Sequence, residues 1–144
     1  MTIMEKPKFR AWDKENLKML YQDRFTINDK LMPFCEQIRW FFWHLENPPI
    51  GHKGYSKPMQ FTGFRDKSSC EIYAGDILGQ KICVGSCKLR VLFVVEFLWK
   101  YGAFGSTFNS QPYEYVALTK EKAKKYRVMG NVHQNPQLSK GAKK

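Results

Sequence analysis

The 144-residue chain has no apolar run long enough to cross a bilayer. Its longest strongly apolar stretch, Val91 to Trp99, is one strand in length and is interrupted by Glu96, whereas a membrane-spanning helix needs about 20 apolar residues. The N-terminus, Met-Thr-Ile-Met-Glu-Lys-Pro, has no charged-then-apolar leader pattern, so no membrane association is expected and the expected compartment is the cytoplasm. Cysteine is scarce and poorly spaced for a metal. Of the four, only Cys83 and Cys87 are close, and zinc sites more often use a two-residue spacing with a second pair of ligands downstream. Free thiols and no metal are the expectation. Histidine occurs three times, and no Ser–His–Asp or Cys–His set can be assembled from His44, His52 and His133. The loop Gly51-His52-Lys53-Gly54 lacks the Gly-x4-Gly-Lys-Ser/Thr spacing of a nucleotide loop. These absences leave no positive sign of catalysis or of a cofactor.

Acidic residues are scarce in one half only. Residues 1–77 hold 12 basic and 10 acidic side chains, and residues 78–144 hold 12 basic but only Glu96, Glu114 and Glu121. The second half therefore carries nine of the eleven net positive charges. Within it, Lys120, Lys122, Lys124, Lys125 and Arg127 form a cluster opposed only by Glu121, and Lys140, Lys143 and Lys144 extend it. Clustered cations attract phosphates by releasing condensed counterions. Trp99, Tyr101, Phe104 or Tyr113 would supply stacking surfaces if they flanked the cluster. The competing explanation is a solvated lysine-rich helix that merely aids solubility.

Aromatic residues make up 15% of the chain and hydrophobic residues 43%, enough for one domain with a real core. Lys8 to Tyr21 reads as two short strands around the turn formers Asp13-Lys14-Glu15-Asn16. Phe34, Ile38, Phe41, Phe42 and Leu45 recur at helical spacing, Pro33 suits a first turn and Asn47-Pro48-Pro49 is a stop, so residues 31–47 are expected to be a short helix. Within it, Trp40 to Trp43 is either core or an interface, with core favoured because large apolar residues are mostly buried. Residues 48–58 hold too many breakers for a regular element. Gln60 to Thr62 and Glu71 to Tyr73 are strands around a polar turn, and Gly75-Asp76 is a positive-φ bend. Val91 to Trp99 reads as a central strand with two apolar faces. Tyr101 to Asn109 reads as a loop, Tyr113 to Leu118 as a strand, Thr119 as an N-cap for Lys120 to Lys125, and Arg127 to Val132 as the closing strand. Residues 139–144 are expected to be a disordered basic tail.

Asp66, Glu71 and Asp76 invite comparison with catalytic carboxylates or a magnesium site. At hairpin positions, however, such side chains more often bond the local backbone.

Lys8-Phe-Arg-Ala-Trp-Asp13, then Met59-Gln-Phe-Thr-Gly-Phe-Arg-Asp66 running on to Glu71-Ile-Tyr-Ala-Gly-Asp-Ile-Leu78, and finally Val128-Met-Gly-Asn-Val-His-Gln-Asn-Pro136 stand in that order along the chain. In that order they resemble the YopX family of bacteriophage and prophage proteins. The resemblance departs at Ser68 and Ser69, where family members commonly have a glycine, and it has no motif for Phe34 to Trp43 or Gly51 to Gly54. It implies a mainly β, barrel-type fold, matching the count of about seven short strands with one or two short helices. The expected domain is residues 1–138, with a variable aromatic insert at about 31–58. The expected role is a non-enzymatic accessory or regulatory protein in the cytoplasm of the bacterial host. It would bind DNA or RNA through Lys120, Lys122, Lys124, Lys125 and Arg127. The alternative is an effector that binds a host protein, with Trp40, Trp43, Trp99 and Tyr101 as candidate interface residues.

Overall fold

Strand β1 (Phe9–Asp13) stops where the Asp13 carboxylate takes over the next backbone donors. Its Oδ1 accepts the N–H groups of Glu15 and Asn16 at 3.0 Å each, and its Oδ2 accepts from Asn16 Nδ2 at 2.8 Å. A side chain that satisfies the backbone two and three residues ahead closes a turn. β2 (Lys18–Tyr21) then returns antiparallel, with Arg10 opposite Tyr21 and Asp13 opposite Lys18, the hairpin expected for residues 8–21.

This computed structural model describes residues 7–98, 102–106 and 116–137. The chain divides into two compact units, residues 1–60 and 61–144. In the first, a 3-10 turn at Gln22–Arg24 leads into the two-residue strands β3 (Thr26–Ile27) and β4 (Lys30–Leu31). Asn28 and Asp29 between them have φ of 51° and 62°, the pair of positive values that a tight hairpin turn requires. Helix α1 (Phe34–Glu46) starts after Pro33 and ends at Asn47, whose Nδ2 donates to the Trp43 carbonyl at 2.9 Å. Phe41 is fully buried, and the buried pair Gln22 and Gln37 meet through a 3.0 Å side-chain bond. Trp40 and Trp43 face outward, 40% and 49% exposed, which corrects the core expectation for these two residues, while Phe41 between them is core as expected. Large side chains at positions 40 and 43 share one helix face, and Phe41 takes the other. Residues 48–58 are irregular apart from one bridge between Tyr55 and Asp13. The unit ends in the first residues of β5 (Met59–Arg65), where Arg10 pairs with Met59 and Phe9 with Gln60.

In the second unit, β5 continues and pairs with β6 (Glu71–Tyr73), its register shifting between Phe61 and Arg65. Then come β7 (Asp76–Val84), β8 (Ser86–Val94), β9 (Glu96–Leu98), β10 (Ala103–Ser106), β11 (Val116–Ala117), α2 (Lys120–Lys125) and β12 (Arg127–Asn131). One sheet runs β12-β7-β8 and another β11-β10-β9, all antiparallel. The central strand is β7, whose Ile77 and Leu78 are fully buried. The stretch expected to be one central strand, Val91 to Trp99, is described as far as Leu98 and splits between β8, at the edge of its three-stranded sheet, and β9. The break falls at Val95, whose N–H donates to the Asp76 carbonyl at 2.8 Å and whose carbonyl accepts from Gly75 N at 2.7 Å. Gly75 and Asp76 thus face Val95 two against one, a bulge with its glycine at positive φ that ends the β7–β8 pairing, and from Glu96 the chain pairs with β10 instead. Residues 103–106, expected to be loop, form β10. The fold is mainly β with two α-helices, as expected, but the described residues hold twelve short strands rather than about seven. Ile72, Leu78, Phe93, Val95, Leu118 and Ala123 form the core of this unit.

Cys35 and Cys70 are in no disulfide, whereas Cys83 is disulfide-bonded, which corrects the expectation of four reduced thiols. The β7–β8 register sets Cys87 directly opposite Cys83, the kind of cross-strand proximity that spacing rules for metal ligands do not weigh. No described helix is long and apolar enough to cross a membrane. The tail 139–144 lies outside the described residues.

Candidate nucleic-acid interface

Thr119 caps α2, its Oγ1 accepting the Lys122 N–H at 3.2 Å, as a β-region threonine before a helix does. Ala123 is fully buried and ties this six-residue helix to the core. Lys120, Lys124 and Lys125 are consequently exposed, and so is Arg127 at the start of β12. Lys122 differs. It is half-buried, and its Nζ donates to the Ala117 carbonyl at 3.1 Å, so it helps to hold the chain that leads into the helix.

A turn remote in sequence joins this cluster. Asp66 is buried, and its Oδ1 accepts from Ser68 N at 2.8 Å and Cys70 N at 2.9 Å. Its Oδ2 accepts from Val128 N at 2.8 Å, and Lys67 N donates to the Tyr126 carbonyl at 3.0 Å. Ser69 takes φ of 66° in the position where a glycine was expected by resemblance. Asp66 thus fastens the 66–69 turn to the segment between α2 and β12, bringing Arg65 and Lys67 beside the lysines of α2. Reasoning from the sequence missed these two cations. Their partners lie about sixty residues away, and the hairpin pattern of residues 59–73 shows only a polar turn.

Two grooves open at this junction. One, of about 390 Å³, is lined by Lys67, Lys125, Arg127, Val128 and Met129 among others. The second, of about 420 Å³, is lined by Phe64, Arg65, Asp66, Ser69, Lys120 and Lys124 together with Gly63. Arg65 has Glu71 at 3.6 Å, a half-exposed pair of little net strength. Lys67, Lys120, Lys124, Lys125 and Arg127 have no ion-pair partner among the described residues.

The three carboxylates considered as catalytic are each engaged in local structure. Asp66 holds its turn, Asp76 Oδ2 accepts from Tyr73 N at 2.8 Å, and Glu71 faces Arg65 and the Tyr73 hydroxyl. No group of three or more His, Cys, Asp or Glu side chains able to hold a metal occurs among the described residues.

The remaining candidates lie elsewhere. Trp40 and Trp43 stack edge-on at 5.6 Å on the outer face of α1, beside a groove of about 520 Å³ lined by Phe25, Ile27, Met32, Trp40, His44 and Tyr55 among others. Trp99, Tyr101 and Tyr113 lie outside the described residues. Phe104 is half-buried against Phe97 and the core. His52 clips its loop: Nδ1 accepts the Gly54 N–H at 2.8 Å, and Nε2 lies 2.9 Å from Asp13 Oδ1, off the line of a hydrogen bond. Burial alone would raise the Asp13 pKa. The Asn16 side chain and the N–H groups of Asn16 and Glu15, aided by His52, outweigh it and hold the carboxyl below the ordinary 3.8. Burial, and then the Asp13 charge, raise the Tyr55 phenol above 10.0.

A family model described as YopX protein matches residues 8–140. No curated protein sequence matches the chain. Among solved structures, that of protein EF1440 from Enterococcus faecalis superposes with a TM-score of 0.56 at 22% identity, covering 92% of this chain and 97% of that one. At that identity the likeness establishes the fold alone.

Proposed function

The chain belongs to the YopX family, and we propose that it is a non-enzymatic accessory or regulatory protein of phage or prophage genomes. It acts in the host cytoplasm by binding nucleic acid through the basic surface of residues 61–144. The observation that supports this reading is the convergence of five cations without an ion-pair partner among the described residues, Lys67, Lys120, Lys124, Lys125 and Arg127, from two sequence-distant segments on two neighbouring grooves. A solvated lysine-rich helix would not need the Asp66 lock that adds Lys67 to them. Cations held side by side without acidic partners release counterions when phosphates replace them, and affinity then falls with salt. Lys120→Gln, Lys124→Gln, Lys125→Gln and Arg127→Gln together should flatten the slope of log affinity against log salt by about 3, near 0.7 to 0.9 per phosphate contact. A wild-type protein with no salt-dependent affinity for DNA or RNA at low ionic strength would remove this reading.

The exposed Trp40 and Trp43, with Ile27 and Leu31 exposed in the same unit, favour a second reading. In it the protein is an effector that docks on a host protein, since tryptophan is enriched at interface hot spots. A host protein retained from lysate after nuclease treatment, and lost with Trp40→Ala/Trp43→Ala, is the outcome this reading requires.

A further inference from the structure

We infer that the ligand of the two basic grooves is single-stranded nucleic acid, one strand crossing from groove to groove over the 66–69 turn; this rests on the nucleic-acid reading above. The grooves adjoin because consecutive residues face different ones. Asp66 lines one and Lys67 the other, and Lys124 lines one and Lys125 the other. A strand passing from one groove to the other therefore has only the 66–69 turn and the Lys124–Lys125 step to cross.

Each groove also has an apolar wall. Phe64, half-buried against the core, lines the groove of Lys120 and Lys124. Half-buried Val128 and Met129 line that of Lys67, Lys125 and Arg127. Cations beside an apolar wall match a strand whose bases are unstacked, phosphates on the lysines and base faces on the wall. A duplex keeps its base faces inside and presents phosphates and groove edges, so it offers these walls no base face to pack against. The basic helix itself is not built to enter a major groove: α2 is six residues, about 9 Å at 1.5 Å per residue, with Ala123 fixed in the core. The acid lining one groove, Asp66, is buried and its two oxygens are taken up by three backbone N–H groups, so it is engaged in its turn rather than paired with the lysines.

The test is fluorescence anisotropy with a short labelled oligothymidylate, its oligouridylate counterpart and a mixed-sequence duplex of equal length, at several salt concentrations. The wild-type protein should prefer the single strands by about tenfold or more, the scale of one or two stacked bases. Lys120→Gln/Lys124→Gln removes both lysines of one groove, leaving Arg65 and Asp66, and Lys67→Gln/Lys125→Gln removes both lysines of the other, leaving Arg127. Each pair should flatten the single-strand salt slope by about 1 to 1.5, with circular dichroism unchanged. Equal or tighter duplex binding, or one pair that leaves the slope intact, overturns the single-strand path while leaving nucleic-acid binding in place. Absence of salt-dependent binding to every probe overturns both.

Discussion

Gly75 shows how much of this fold depends on single backbone positions. Its φ is 92°, its N–H donates to the Val95 carbonyl, and its own carbonyl accepts from Val132 N at 2.9 Å. A β-branched side chain there meets the Cβ penalty of left-handed backbone while three segments hold the peptide in place. Gly75→Val should cost about 1–3 kcal/mol in chemical denaturation, and an unchanged midpoint would show that the bend relaxes freely. Gly130 is needed for a different reason: a Cβ would lie 2.2 Å from Asn135 Oδ1, which accepts the Asn131 N–H at 3.3 Å. Asp13 gives the pH-dependent case. Its folded pKa lies below 3.8, so the stability it contributes is fully present above about pH 4 and is lost as pH falls through the folded value. Asp13→Ala should therefore cost about 1–3 kcal/mol at pH 7, with the gap to wild type narrowing in acid. Urea titrations at pH 7 and pH 3 measure both, and a pH-independent gap would assign the loss to packing.

At the scale of elements, what could be read in advance is what short-range chemistry decides. The Asp13 turn, the α1 limits at Pro33 and Asn47, the Gly75 bend and the Thr119 cap each rest on residues within a few positions of one another. The strand break at Val95 could not be read, because Val91 to Trp99 alternates well and only the distant Asp76 and Gly75 interrupt it. The outward face of α1 was equally hidden, since helical spacing shows that Trp40 and Trp43 share a side but not whether that side is covered. The site was half legible. Its α2 lysines stand out as a cluster, while Arg65 and Lys67 join it through long-range bonds, Asp66 with Val128, 62 positions apart, and Lys67 with Tyr126. That lock makes a prediction at this scale. Asp66→Ala leaves the N–H groups of Ser68, Cys70 and Val128 without their acceptor, and bonds to a charged partner are individually worth about 1.5–3 kcal/mol. The domain should lose about 2–4 kcal/mol and Lys67 its place beside Lys125. Asp66→Asn, which keeps one acceptor oxygen, should lose less. Equal loss in the two variants by thermal melting would show that shape, not the carboxylate, holds the turn.

For the whole molecule the question is whether binding follows net charge or its placement. Residues 61–144 carry 14 basic and 6 acidic side chains, and residues 1–60 carry 10 and 7, so the units differ in sign balance as well as in architecture. Net charge raises the field everywhere, but at about 0.1 M salt that field decays within roughly 10 Å. Affinity should therefore depend on which lysines are removed. Lys14, Lys18 and Lys30 are exposed in the first unit, and Lys120, Lys124 and Lys125 are exposed in the second. Changing either trio to glutamine lowers the net charge from +11 to +8. Removing the second trio should flatten the salt slope by about 2–3, and removing the first should change it by less than about one. The two variants share length, net charge and intact cores, so long-range attraction to a polyanion treats them almost alike. Equal losses from both would mean that the protein binds as a diffuse polycation, and the basic grooves would then be surface without a dedicated ligand.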